Sequence, residues 1–74
     1  MNSSVAAEIE ISIPQEISSA QAKLVYYYLA TNGGGTVDDL HDELDISKGT
    51  ALSITGTLRD QGHVERIDGR YELV

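Results

Sequence analysis

Thr36-Val37-Asp38-Asp39-Leu40-His41-Asp42-Glu43-Leu44-Asp45-Ile46-Ser47-Lys48-Gly49-Thr50 reads as a short helix, a sharp turn and the start of a second helix. Leu40 and Leu44 are four apart and share one helix face. Thr36 with Asp39 three residues later marks the start: the hydroxyl oxygen can accept from the free N–H groups of the first turn, and acid lies at the positive end of the helix. Leu44-Asp45-Ile46 leaves room only for a tight turn before a second cap at Ser47, so the two helices must cross. The second helix is predicted from Lys48 to about Gln61, with Ala51, Ile54, Thr55 and Leu58 as its inward stripe. Gly62 then ends it with a left-handed residue that carries no Cβ penalty.

Downstream, His63-Val64-Glu65-Arg66-Ile67 and Arg70-Tyr71-Glu72-Leu73-Val74 alternate around Asp68-Gly69, a pair suited to a two-residue turn with positive φ. Helix, turn, helix, glycine and hairpin is the order of a winged helix-turn-helix. The stretch GGTVDDLHDELDISKGTALSITGTLRDQGHVERIDGRYEL resembles the small winged-helix domains of archaeal and bacterial transcription regulators of the MarR, ArsR and TrmB kind. The likeness spans residues 18–74 and lies in the pattern and in the Gly62-x-Val64-x-Arg66 lead into the wing. It implies an α+β fold of three helices and a small antiparallel sheet, with a C-terminal hairpin wing over residues 63–74, preceded by an arm over residues 1–17. It also implies a DNA-binding transcriptional regulator. Winged helices serve as protein-docking modules too, so a protein–protein interaction module without DNA binding is the alternative.

At 74 residues the chain is one domain with a small core. The absence of cysteine excludes disulfides and cysteine-based zinc sites. No apolar run approaches the roughly 20 residues of a membrane span, and Met1-Asn2-Ser3-Ser4 lacks the features of a secretory signal, so a soluble cytoplasmic protein is expected. The formal charge of −7 is the wrong sign for a polyanion partner, but its distribution answers part of this difficulty. All of the excess acid lies in residues 1–46, whereas residues 47–74, the recognition helix and wing, balance. Abundant acid, two lysines and no phenylalanine resemble proteins of salt-accumulating halophiles. In molar salt the screening length falls to about 3 Å, and a negative body then barely repels DNA beyond contact range.

Glu8-Ile9-Glu10-Ile11-Ser12-Ile13 alternates strictly before Pro14 and is predicted as an extra N-terminal strand, adding to the wing sheet or to a second protomer, against the plainer reading of a floppy arm. Ser18 and Gln21 stand at capping-box spacing and open the first helix, which runs to about Thr31 and ends in Asn32-Gly33-Gly34-Gly35, a linker where chain reversal is easy. Leu24, Val25, Tyr28 and Leu29 are its expected inward face. Successive residues turn by about 100°, so Tyr26 and Tyr27 cannot both point inward beside Tyr28. Ile9, Ile11, Ile13, Tyr26 and Tyr27 are accordingly the candidate dimer or partner interface, against the plainer reading of surface tyrosines.

The resemblance places the helix over about 47–61 in the major groove and the wing on the minor groove or backbone. Candidate DNA contacts are Thr36, Ser47, Lys48, Gly49, Thr50, Ser53 and Thr57, with Arg66 and Arg70 flanking the hairpin turn. The plainer reading pairs those arginines with Glu65, Asp68 or Glu72. Leu52 faces outward and either meets a thymine methyl or marks a protein contact. Enzyme readings fail for lack of parts: the two histidines, His41 and His63, join no converging ligand set, and Gly33-Gly34-Gly35 lacks the Lys-Ser/Thr of a phosphate loop. The expectation is a homodimer that binds double-stranded DNA, with no metal, cofactor, small-molecule ligand or membrane partner.

Overall fold

A computed structural model describes residues 11–74. Ile17 donates its N–H to the Pro14 carbonyl at 3.1 Å, and this turn drives the Ile17 side chain into the core, where it is 2% exposed. Helix α1 (Ala20–Asn32) starts three residues later, with the Ser19 hydroxyl accepting from Ala22 N–H. The start falls one residue beyond the predicted Ser18 cap because the buried Ile17 sets where the chain can leave its turn. The third helical position is then Ala22, and no capping box forms.

Val25 and Leu29 are fully buried on α1, flanked by half-buried Tyr26 and Tyr28. Leu24, expected inward, is 45% exposed. It lies beyond Tyr28 around the helix, and the opposite flank of the Val25–Leu29 line is filled by Tyr26, whose ring meets His63 edge-on at 6.3 Å.

Gly33 caps α1 at φ 69°. The expected linker is more than a linker. Gly34 and Gly35 are buried, and Gly35 exchanges two backbone hydrogen bonds with Tyr71, at 3.0 and 2.7 Å. A Cβ on Gly34, which holds φ 107°, would lie 2.8 Å from Glu72 Cγ and 2.9 Å from the Tyr71 carbonyl oxygen.

Helix α2 (Val37–Leu44) opens with the expected cap, Thr36 Oγ1 accepting from Asp39 N–H, and adds the reciprocal bond, the Asp39 carboxylate accepting from Thr36 N–H. Asp45, at φ 57°, ends it, and His41 Nδ1 closes the turn 2.7 Å from the Ile46 carbonyl oxygen. Helix α3 (Lys48–Asp60) is capped by Ser47 and buries Ala51, Thr55 and Leu58, with Ile54 half-buried beside them. The Thr55 hydroxyl donates to the Ala51 carbonyl at 2.8 Å, so this buried polar group is satisfied within its own helix.

Strands β1 (Val64–Ile67) and β2 (Arg70–Leu73) pair antiparallel around Asp68 and Gly69, both at positive φ. Their register sets Val64 opposite Leu73, Arg66 opposite Tyr71 and Ile67 opposite Arg70. The core joins Ile17, Val25, Leu29, Leu40, Ile46, Ala51, Leu58, Val64 and Tyr71. Three helices and a hairpin in this order form a winged helix. Residues 8–10 of the predicted N-terminal strand lie outside the described residues; its other half, Ile11–Ile13, is irregular and not a strand, and Ile13 packs against the core.

Substituting Gly34→Ala places a side chain at positive φ and against the Tyr71 carbonyl; urea denaturation should show a loss of at least about 2 kcal/mol. Gly56→Ala, where a Cβ meets nothing within 4 Å, should instead gain about 0.5–1 kcal/mol from helix propensity. Similar effects at both positions would contradict this account of the glycines.

Candidate nucleic-acid interface

The outward side of α3 follows from its inward one. With Ala51, Thr55 and Leu58 in the core and 100° between residues, Gly49, Ser53 and Gly56 look directly away, flanked by Leu52 and Thr57. Ser47, Lys48, Gly49, Leu52, Ser53 and Thr57 are exposed, and Thr50 and Gly56 are half-buried. Most of the predicted helix contacts are thus gathered on one surface.

Several polar groups there are already occupied. The Ser47 oxygen accepts from Thr50 N–H at 3.0 Å and its hydroxyl donates to Thr50 Oγ1 at 2.9 Å. Thr57 donates to the Ser53 carbonyl at 3.1 Å. Lys48 Nζ sits 3.1 Å from Asp38 on α2, an exposed pair of small energetic value that local water and salt can exchange. Thr36 is separate from this group: half-buried, with its hydroxyl and N–H both engaged by Asp39, it shapes the α2 terminus.

The two wing arginines part company. Arg66 faces the same side as Tyr71, its cross-strand partner, whereas Arg70 shares the opposite side with Ile67, because side chains alternate along each strand. Arg70 turns back toward the helices, donating to the Gly33 carbonyl at 3.2 Å and lying 3.8 Å from Glu72. Arg66 is exposed and, among the described residues, has no carboxylate within 4 Å. Register decides this: a two-residue turn at 68 and 69 makes 67 and 70 partners, not 66 and 70.

Asp38, Asp39, Asp42, Glu43 and Asp45 concentrate negative charge on α2 and the turn after it. Its reach shows at Tyr28, whose phenol pKa is raised first by burial and then by Asp39 and Glu43, with Arg70 pulling the other way.

The candidate interface residues also divide. Tyr27 is 47% exposed and lies three residues from exposed Leu24 on the outer side of α1. Tyr26 packs against the core and His63, and Ile13 packs against the core too; Ile11 is half-buried, and Ile9 lies outside the described residues. One contact had no sequence signal: the Glu16 carboxylate stands 3.0 Å from His63 Nε2, off the line of an aligned hydrogen bond, beside the base of the hairpin. Distant residues meeting through a turn leave no periodicity to read.

Among the described residues no helix is long and apolar enough to cross a membrane. Residues 16–74 match the family described as "Sugar-specific transcriptional regulator TrmB", a span that covers α1 through β2. No curated protein and no solved structure matches the chain.

The division between the arginines is testable by stability alone. Arg70→Ala, which removes the bond to the Gly33 carbonyl, should cost about 0.5–1 kcal/mol in urea denaturation, while Arg66→Ala should change stability by less than about 0.5 kcal/mol. Equal costs would refute the opposed placement.

Proposed function

The chain belongs to the TrmB family of transcriptional regulators, a family of DNA-binding domains and not of enzymes, and from that premise we propose how it meets DNA. Helix α3 lies in the major groove of double-stranded DNA and the hairpin tip reaches the minor groove or the phosphate backbone. The observation that carries this reading is the outward surface of α3: it takes no part in the core, begins at a capped helix N-terminus and presents small polar and glycine residues to solvent. Ser47, Lys48, Gly49, Ser53 and Thr57 then contact phosphates and base edges, and Arg66 contacts the backbone or minor groove. Arg70 and Thr36 support these contacts by holding the loop and the α2 terminus.

The protein acts as a homodimer, with Leu24 and Tyr27 on the outer side of α1 as its self-association surface. The sugar specificity in the family's description points to genes concerned with sugars; the residues named here serve the DNA end of that task. The acidic body suits function in concentrated potassium salt inside the cytoplasm, where screening removes long-range repulsion from DNA. Exposed Leu52 favours a second reading, a winged helix that docks onto another protein.

Binding to duplex DNA from about 0.1 M to molar potassium chloride separates these readings, because each phosphate contact adds about 0.9 to the slope of log affinity on log salt. The wild type should bind saturably with a measurable slope. Arg66→Ala should reduce that slope by about one for each protomer bound. A folded protein that binds no duplex at any salt would transfer the argument to protein docking, and a monomer mass by sedimentation at high salt would remove the dimer.

A further inference from the structure

The side chains that most often read bases are missing from the first three turns of α3; the exposed Arg59 stands in its last turn. Arginine, asparagine and glutamine, which bond purine edges in pairs, do not occur anywhere from Ser47 to Leu58. The polar groups present are partly committed: Lys48 to Asp38, Ser47 and Thr50 to each other, and the Thr57 proton to the Ser53 carbonyl. The large apolar side chain exposed on this helix is Leu52, at 55%.

Two residues one turn from Leu52, Gly49 before it and Gly56 after it, have no side chains, and Lys48, four residues before it, extends to Asp38 on α2. The fold does not require either glycine. A Cβ at Gly56 would meet nothing within 4 Å, and one at Gly49 would meet only Ser47 Oγ at 4.0 Å. Each glycine weakens the helix relative to alanine, so the bare surface around Leu52 is maintained at the expense of local stability. It lets the helix backbone approach an external surface closely while a single branched apolar group leads.

Taking the DNA-binding reading as its basis, we propose that Leu52 is a specificity-determining residue that reads the C5 methyl group of thymine in the major groove. The methyl of thymine is the apolar feature of that groove's base edges, while the other edges present donors and acceptors. Against guanine, cytosine or adenine, the leucine would strip water from polar groups and return no hydrogen bond. Preference for thymine therefore arises twice, from a gained apolar contact and from the penalty at every other base. The preferred site carries thymine where the first two turns of α3 cross the groove.

The test begins with selection of bound duplexes from a random-sequence pool. The consensus duplex is then synthesised with thymine and again with uracil in its place, so that the two differ only in the methyl groups. Wild-type protein should bind the uracil duplex about fourfold more weakly, the loss expected for one buried methyl at about 0.8 kcal/mol. Leu52→Ala, a change at an exposed position that favours helix, should bind both duplexes alike and at the weaker level, with its circular dichroism unchanged. Equal wild-type affinity for the two duplexes overturns the methyl contact and leaves DNA binding standing. An equal loss on both duplexes in Leu52→Ala, with the wild-type difference retained, overturns the role of Leu52. Failure of folded wild-type protein to bind any duplex removes the DNA reading itself.

Discussion

Two backbone hydrogen bonds between Gly35 and Tyr71 join the hairpin to the helices, and the geometry of the remaining chain depends on that junction. Tyr71 is held twice: its ring is buried in the core, and both its backbone groups are taken by Gly35 on the side away from β1. The residue before Gly35 must then pass between Glu72 and the Tyr71 carbonyl, which only a glycine at positive φ achieves. Thr36 caps α2 immediately afterwards, so the same crossing that seats the hairpin also sets where α2 begins. Helix α3 follows α2 after a turn of three residues. The relation between α3 and the hairpin is therefore governed by a contact in which α3 takes no direct part.

What was legible in the sequence is what local chemistry decides within a few residues. The Thr36 cap, the cap at Ser47, the inward stripe of α3 and the Asp68-Gly69 turn all took the predicted form, whereas the capping box expected at Ser18 and Gln21 formed instead at Thr36 and Asp39. Pairing over distance was not legible: nothing in three consecutive glycines announces a bridge to Tyr71, and a lone Ile17 after a proline has no period to mark it as core. Helix α1 misled for a different reason. Apolar and aromatic residues occur on nearly every side of it, so periodicity could not choose between Leu24 and Tyr26, and the position of His63 chose. The wing arginines are the instructive case, because alternation and a two-residue turn already imply that Arg66 and Arg70 lie on opposite sides.

The acid on α2 has structural work that its total hides. Asp38 and Asp39 lie at the positive end of the helix, and Asp39 completes the cap. The same acid reaches the start of α3, where Asp38 stands 3.1 Å from Lys48 in an exposed pair. If α3 meets DNA as proposed, that acid tempers the attraction of Lys48 for phosphate, and concentrated salt screens it further. Apolar contact follows the opposite rule, since it does not depend on counterion release. If Leu52 and its flanking glycines lead the contact as proposed, the apolar part of that contact is the part that salt and the acidic body leave undiminished.

That arrangement makes α3 a weak helix by its own propensities. It carries two glycines and four β-branched residues in 13 positions, and its buried residues include small Ala51 and the polar Thr55. Its order comes from packing on α1 and α2 and from the Ser47 cap, as is usual for helices too short to persist alone. The outward surface of α3 therefore exists only while the core behind it is intact. Leu40 and Val25 are fully buried in that shared core, so loss of packing at either removes support from α3, and the order of its outward surface is coupled to the integrity of the whole fold.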